Sequence, residues 1–470
     1  MIEGETLNKK FSVLIKDVLI FGLGRVGSRI ILFFLVPLYT HYLTTEEYGL
    51  ADLVYTTAEL IRPILSLVIY AGVIRFGLMK ESNSAEVLKA GMFVGIVGSF
   101  ITIAITPLFN FYSPISPWKW CLSAYIILTI HSYTLSNYLK VKGKNRQFAI
   151  ISIIETFCLA LFNILLLAVF HIGIKGYFAA SVLAVIISIV LSASSGNVIK
   201  DLHKARFNRQ LVREMVIYSS PLILNNVSWW LIHCSDKYMI EALISASALG
   251  IYTVATKIPS LINVLIYAFG QAWNISSIKE MESSNDSVFY SKVFEGYTLI
   301  TFGVCISLIT IIKPFMDIYV GKDFQDAWMF VPLLLVSAVF SSVASYYAEL
   351  YSALKKSVNS MITTLIAAII NVLVNYFFIM MYGIWGAVIG TVACYIVLGL
   401  IRMVDVHRFI KIKIDYARFF TNIGIIMTQG ILVSLNYYTV AVSSISIVLF
   451  ILVNSKQLSG VRYAIMKHIS

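Results

Sequence analysis

Fourteen apolar runs of membrane-spanning length constrain this chain more than any other feature. They lie at about 18–39, 50–74, 88–112, 118–139, 148–170, 176–199, 214–243, 250–273, 293–318, 328–354, 358–381, 385–407, 417–436 and 438–453. A bilayer core of about 30 Å takes roughly 20 apolar residues as a helix. Within it, a spanning backbone must satisfy its own polar groups, which a helix does. Only 13% of the residues are charged and 59% are hydrophobic, whereas about a quarter of a soluble domain is charged. The expected fold class is therefore an all-α polytopic membrane protein with about 14 transmembrane helices, or 12 if the short last run and its neighbour form a loose hairpin. A soluble enzyme, a disordered chain and a disulfide scaffold all fit poorly. Cys121, Cys158, Cys234, Cys305 and Cys394 sit in apolar runs with no C-x-x-C pair, as small buried hydrophobes do. The polar start, Met1 to Lys16, leads into a run too long for a signal-peptide core, so no cleaved signal is expected.

The loops set the orientation. With the amino terminus taken as inside, 27 of the 36 Lys and Arg residues fall on inside segments and 4 on outside ones. That asymmetry follows the positive-inside rule and places both termini in the cytoplasm. The formal charge of +12 is thus spread over many loops, which argues against a nucleic-acid partner.

The sequence echoes itself at an offset of roughly 195–210 residues. Gly173-Ile174-Lys175-Gly176 is matched by Gly383-Ile384-Trp385-Gly386. Arg62-Pro63-Ile64-Leu65 is matched by Ile258-Pro259-Ser260-Leu261. Six spans separate the members of each pair, so the repeats insert in the same orientation. The expected organisation is an N-terminal six-helix bundle over 1–199 and a basic cytoplasmic linker over 200–213. A C-terminal six-helix bundle follows over 214–410, then a helix pair and cytoplasmic tail over 411–470. Two bundles around a cleft are a common build for alternating access.

An ionisable group deep in the bilayer costs about 2.5–3.5 kcal/mol even on lenient scales, so it faces a wet cavity or a partner. Arg25 and Arg29 share one face of the first run. Arg62 lies near the middle of the second, with Glu59 one turn away, and Lys257 lies in the eighth. Guanidinium groups suit phosphate through bidentate geometry, so these four cations point to an anion site. The opposing reading is private pairing, Glu59 with Arg62 and Asp236 with Lys257. Glu155 is a possible proton or sodium group, and Asp52 reads as a helix-start carboxylate. The Gly22-x-Gly24-x-x-Gly27 pattern lacks the flanking strand of a dinucleotide site. The histidines show no ligand spacing, and Trp229-Trp230 reads as helix or lipid contact before sugar stacking.

Three landmarks carry a resemblance. Pro37-Leu38-Tyr39-Thr40, Tyr42-Leu43-Thr44 and Glu47-Tyr48-Gly49 form the first. Ser235-Asp236-Lys237-Tyr238-Met239-Ile240, Leu249-Gly250-Ile251-Tyr252 and Lys257-Ile258-Pro259 form the second, and Gly383-x-x-Gly386 the third. Together they resemble the Wzx-type flippases for O-antigen and capsule units, within the multidrug/oligosaccharidyl-lipid/polysaccharide exporter superfamily. The resemblance implies a transporter, not an enzyme, in the bacterial inner membrane. Its substrate would be an undecaprenyl-pyrophosphate-linked oligosaccharide, moved from the cytoplasmic to the outer leaflet. It implies a cationic cavity with basic residues on spans one, two and eight, which fall here on Arg25, Arg29, Arg62 and Lys257. No cofactor is implied; an H+ or Na+ gradient could couple through Glu155. Membrane lipids, the polysaccharide polymerase and the chain-length machinery are the implied partners. The family often has Arg where this chain has Lys237. An ion-coupled drug or metabolite exporter of the same superfamily would instead call for an acidic cavity. A polysaccharide polymerase or ligase would need a long outer loop.

Overall fold

The computed structural model describes residues 14, 18, 31–79, 82–283 and 287–459, and among these no strand occurs. The first ten helices are α1 (Ile31–Tyr42), α2 (Thr45–Leu65), α3 (Ile69–Gly77), α4 (Ser84–Ile105), α5 (Lys119–Val141), α6 (Asn145–Asn163), α7 (Ile174–Gly196), α8 (Val198–Lys204), α9 (Arg209–Ser219) and α10 (Leu222–Leu243). Then come α11 (Ala246–Lys257), α12 (Pro259–Ser283), α13 (Ser287–Tyr319), α14 (Val331–Ala353), α15 (Ser357–Tyr382), α16 (Ile384–His407), α17 (Tyr416–Ser434) and α18 (Thr439–Val453). Among the described residues, seven helices are long and apolar enough to cross a membrane unaided. The pairs α2–α3 and α11–α12 add two broken spans, bent by 53° and 44°. The chain is a multi-pass membrane protein. Among the described residues its apolar spans number seven to nine by this standard, where the sequence reading expects about 14. The difference lies in helices such as α10, which carries Asp236, Lys237 and Glu241, and α18, which has 15 residues.

By mutual contact the chain divides into two compact units, with the boundary at Gly250/Ile251 inside α11. In the unit spanning Gly27–Gly250, α5 packs against α2, α3, α4 and α7. The break between α2 and α3 follows Pro63, which has no N–H to give the Glu59 carbonyl. The chain turns there through Leu67 and Val68, both left-handed, at φ 49° and 52°.

The segment over 200–213, expected as a basic linker, forms most of α8 and the start of α9, and the flanking Val198 and Met215 enter a core with Ile69, Val73, Leu88 and Tyr138. Lysines fasten it to the bundle by capping helix C-terminal carbonyls. Lys89 Nζ donates to the Ala205 carbonyl at 2.8 Å, and Lys144 Nζ to that of Ser195 at 2.6 Å. The Asp201 carboxylate accepts from the Tyr138 hydroxyl at 2.6 Å and pairs with Lys142 at 2.9 Å. The contact boundary therefore lies beyond this segment, and α10 groups with the helices before it.

α2 and the first turns of α11 meet at two glycines. The α2 N-terminus is set by a capping box, in which Thr44 accepts from the Glu47 amide and the Glu47 carboxylate accepts from the Thr44 amide. A Cβ on Gly49 would overlap the Ala246 carbonyl oxygen, and one on Gly250 that of Thr45. The Thr45 and Ser247 hydroxyls are bonded across the crossing at 2.6 Å. Small residues allow this backbone approach, as at other membrane helix contacts. The two Gly-x-x-Gly elements also share a local backbone geometry. Gly173 precedes α7 at φ 64°, ψ −147°, and Gly383 precedes α16 at φ 58°, ψ −135°, a region kept for glycine.

In the unit spanning Ile251–Ser470, α14 is the central helix; 83% of its apolar window is buried, against 17% for α6 in the other unit. It packs against α12, α13, α16 and α17. Phe269, Trp273, Tyr297 and Tyr346 stack at its side, the Phe269 and Tyr297 rings 3.8 Å apart. Arg402, on α16 within the run 385–407, is 1% exposed. Its guanidinium donates to the Thr363 and Thr364 hydroxyls at 3.2 and 2.8 Å and to the Ala344 carbonyl at 3.0 Å. The C-terminal pair α17–α18 is clasped by Asn422 and Asn454, whose amides bond reciprocally at 3.1 and 2.9 Å.

Two measurements check this packing. Gly250→Val should destabilise the purified protein by about 1–3 kcal/mol, the usual range for overpacking, read as a fall in Tm in detergent. Unchanged Tm would contradict the crossing. Burial alone would raise the Asp201 carboxyl, but Tyr138 and Lys142 outweigh it and hold the group below the usual carboxylate range. A folded pKa below the unfolded one adds stability that is present above the unfolded value of about 4 and lost as pH falls through the folded one. Between pH 5 and 2 (roughly, from those values), Tm should fall more steeply for the wild type than for Asp201→Asn.

Candidate anion-binding site

Arg62 occupies the last turn of α2, immediately before Pro63. Its guanidinium carbon stands 4.3 Å from the centroid of the Tyr133 ring on α5. Tyr133 packs against Tyr70, with centroids 5.5 Å apart, and Tyr125 against Tyr55 at 4.8 Å. Arg62 is thus set among aromatic faces, which attract a cation without neutralising it. Its Nε is buried without a hydrogen-bond partner, and among the described residues Arg62 forms no ion pair. Glu59 is exposed one turn earlier on α2, within electrostatic range but not in salt-bridge contact. The expected private Glu59–Arg62 pair therefore does not form. Tyr125 has Arg62, Glu59 and Glu155, the last half-buried on α6, among its charged neighbours. The unit thus gathers three of the expected residues around two tyrosines. Arg25 and Arg29 lie outside the described residues. Asp236 is buried at 4% exposure on α10, and its Oδ1 accepts from the Lys237 amide at 2.9 Å. Lys257 is half-buried at the end of α11, in the other unit.

One charged pair was hidden from the sequence. Lys237 is a residue of α10 rather than of an outer loop, and its Nζ meets Asp52 Oδ2 at 2.6 Å, both side chains 13% exposed. Asp52 is correspondingly no helix-start carboxylate. It stands two turns inside α2, whose first-turn acids are Glu46 and Glu47. Around the pair, Tyr238 bonds the Thr57 hydroxyl and Trp230 Nε1 donates to the Thr56 carbonyl at 2.8 Å. Trp230 is therefore a helix contact, while Trp229 stacks on His233 at 5.6 Å. Basic character at 237 is a feature of the second landmark, but nothing local marks Asp52 as its partner. Among the described residues no cluster of three or more metal-ligating side chains occurs.

Chemically, this arrangement is able to receive an anion. An unpaired guanidinium on an aromatic wall can take a phosphate oxygen with charge-assisted bonds, and neighbouring hydroxyls can serve polar groups beside it. The Asp52–Lys237 pair has spent its charge and instead locks α2 to α10.

Residues 14–274 match the family model described as "Polysaccharide biosynthesis protein". No curated protein matches the chain. Among solved structures, the lipid II flippase MurJ in an inward closed conformation is similar at 14% identity and a TM-score of 0.69, covering 94% of this chain and 99% of that one. An inward-facing multidrug resistance MATE family transporter of the MOP superfamily is similar at 12% identity and a TM-score of 0.64, covering 81% and 98%. An outward-facing form of a MATE family transporter gives 14% identity and a TM-score of 0.60, covering 85% and 95%. At such identities the likeness is one of fold.

The buried pair can be tested by a double-mutant cycle on purified protein. Lys237→Met alone strands a buried carboxylate and should cost about 3–5 kcal/mol, as should Asp52→Leu. The two together should recover most of the loss. Additive losses in thermal unfolding would show that the pair is not coupled.

Proposed function

We propose that this chain, which belongs to the polysaccharide biosynthesis protein family, is a flippase for a lipid-linked oligosaccharide. Its substrate is an undecaprenyl-pyrophosphate-linked unit of O-antigen, capsule or a related surface polysaccharide. The observation that carries this reading is Arg62, a guanidinium set among tyrosines with a buried Nε and no carboxylate contact. Such a group suits the diphosphate that joins sugar to prenyl chain. Arg25, Arg29 and Lys257 complete the proposed cation set. Transport proceeds by alternating access in the bacterial inner membrane, with both termini cytoplasmic. The inward and outward states must differ in affinity for the headgroup, since equal affinity moves nothing. Glu59 and Glu155, near the same tyrosines, are the proposed proton or sodium groups.

An ion-coupled multidrug exporter is the second reading, favoured by the MATE fold likeness. A cationic drug would be repelled by Arg62, so the two readings differ in what that charge does. In a strain whose surface polysaccharide depends on this protein, Arg62→Ala should cut display roughly tenfold or more, as loss of a charged hydrogen bond does. The lipid-linked glycan should accumulate on the inner leaflet, and Arg62→Lys should retain part of the activity. Full display by Arg62→Ala at normal protein level would sink the diphosphate reading.

A further inference from the structure

A cavity with an apolar wall and a charged rim lies in the unit spanning Ile251–Ser470, away from Arg62. It measures about 320 Å3 and is bounded by α13, the segment before α17, α17 itself and the chain just after α18. All of these boundaries lie at helix ends on the side where the Lys and Arg excess puts the cytoplasm. Phe294, Leu299, Phe302 and Phe419 give it an apolar wall, and Lys292 and Lys413 stand exposed at its rim. The Lys413 backbone is pinned by donating its amide to the Ser291 hydroxyl at 2.8 Å.

The charges are unevenly spent. Arg418 pairs with Glu295 at 2.7 Å and approaches Asp415 at 3.9 Å, while Asp415 also caps α17 by accepting from the Arg418 amide. Both carboxylates are thereby committed. Lys292 and Lys413 have no ion-pair partner among the described residues. Deeper in, the Gln457 amide oxygen is buried without a hydrogen-bond partner. That oxygen can accept from a hydroxyl of a lipid headgroup. Two unspent ammonium groups, an unsatisfied amide and an aromatic wall at the headgroup level fit an amphiphile with one negative charge. Basic pockets between membrane helices on this side take acidic headgroups.

We propose that this cavity binds the headgroup phosphate of an anionic phospholipid of the cytoplasmic leaflet. Lys292 and Lys413 hold the phosphate, and an acyl chain lies along Phe294, Leu299 and Phe302. The lipid so held braces α17 and α18 against α13. It is a resident ligand and not cargo, so loss of transport through Arg62 leaves it untouched.

The full-length protein in neutral detergent is mixed with dioleoylphosphatidylglycerol, with dioleoylphosphatidylethanolamine or with inorganic phosphate. Retention is read by native mass spectrometry and stability by Tm. Phosphatidylglycerol should be retained and raise Tm. The double variant Lys292→Gln/Lys413→Gln should weaken retention roughly thirtyfold, as expected from losing two lysines near an acidic headgroup. Lys411→Gln/Lys456→Gln, which removes equal charge outside the cavity lining, should leave it unchanged. Equal weakening by both double variants, or equal retention of phosphatidylethanolamine, overturns the proposal. A Tm rise from inorganic phosphate matching that from lipid also overturns it, making the cavity an ion site only. Should the lysine variant fail to fold, Leu299→Trp fills the cavity with its charges kept; undiminished phosphatidylglycerol retention by that variant overturns the proposal.

Discussion

A charged or polar side chain placed away from water gains most from a partner in the same chain, and such pairings recur in both units. Lys237 finds Asp52, and Arg402 finds two threonine hydroxyls and a carbonyl. Asn422 and Asn454 find each other. Each solution fixes neighbouring helices by a directional contact that lipid cannot replace, whereas apolar contacts alone can be solvated by lipid. Against this background Arg62 differs in kind. Its neighbours are tyrosine faces, and its buried Nε is left over. The chemistry proposed for it follows from that contrast more than from its mere presence in a membrane helix.

The same logic governs the ends of the helices. Three lysines that look like ordinary cytoplasmic charge do structural work: Lys89 and Lys144 cap carbonyls, and Lys142 holds Asp201. The segment after α7 is thereby made part of the bundle it follows. Lys200, Lys204, Arg206, Arg209 and Arg213 remain exposed, available to water and acidic lipid. A count of loop charge measures orientation well and says little about which charges are already spent.

Much of the architecture was legible because apolar length and loop charge are local properties. The runs near 88–112, 148–170, 176–199 and 358–381 became helices α4, α6, α7 and α15. The two Gly-x-x-Gly elements were recognisable from sequence, and each opens a helix with similar backbone angles at its first glycine. What could not be read was partnership. Asp52 and Lys237 are 185 positions apart, and no periodicity links residues at that distance. The same holds for Arg62 and Tyr133, where the sequence offered a carboxylate one turn away and the fold supplied a ring. Helix α10 mixes apolar residues with Asp236, Lys237 and Glu241, so length and apolarity alone do not mark it as a span.

The Gly49–Gly250 crossing has a consequence for how sequences of this kind can drift. The obstacle facing a new side chain at either position is main chain, the carbonyl of Ala246 in one case and of Thr45 in the other. No substitution elsewhere can make a carbonyl smaller. An enlarged residue at one site therefore has no compensating change available at the other, and the pair cannot trade volume as two packed side chains do. In a collection of relatives these two columns should be fixed together, each invariant, with no correlated exchange between them to reveal that they touch.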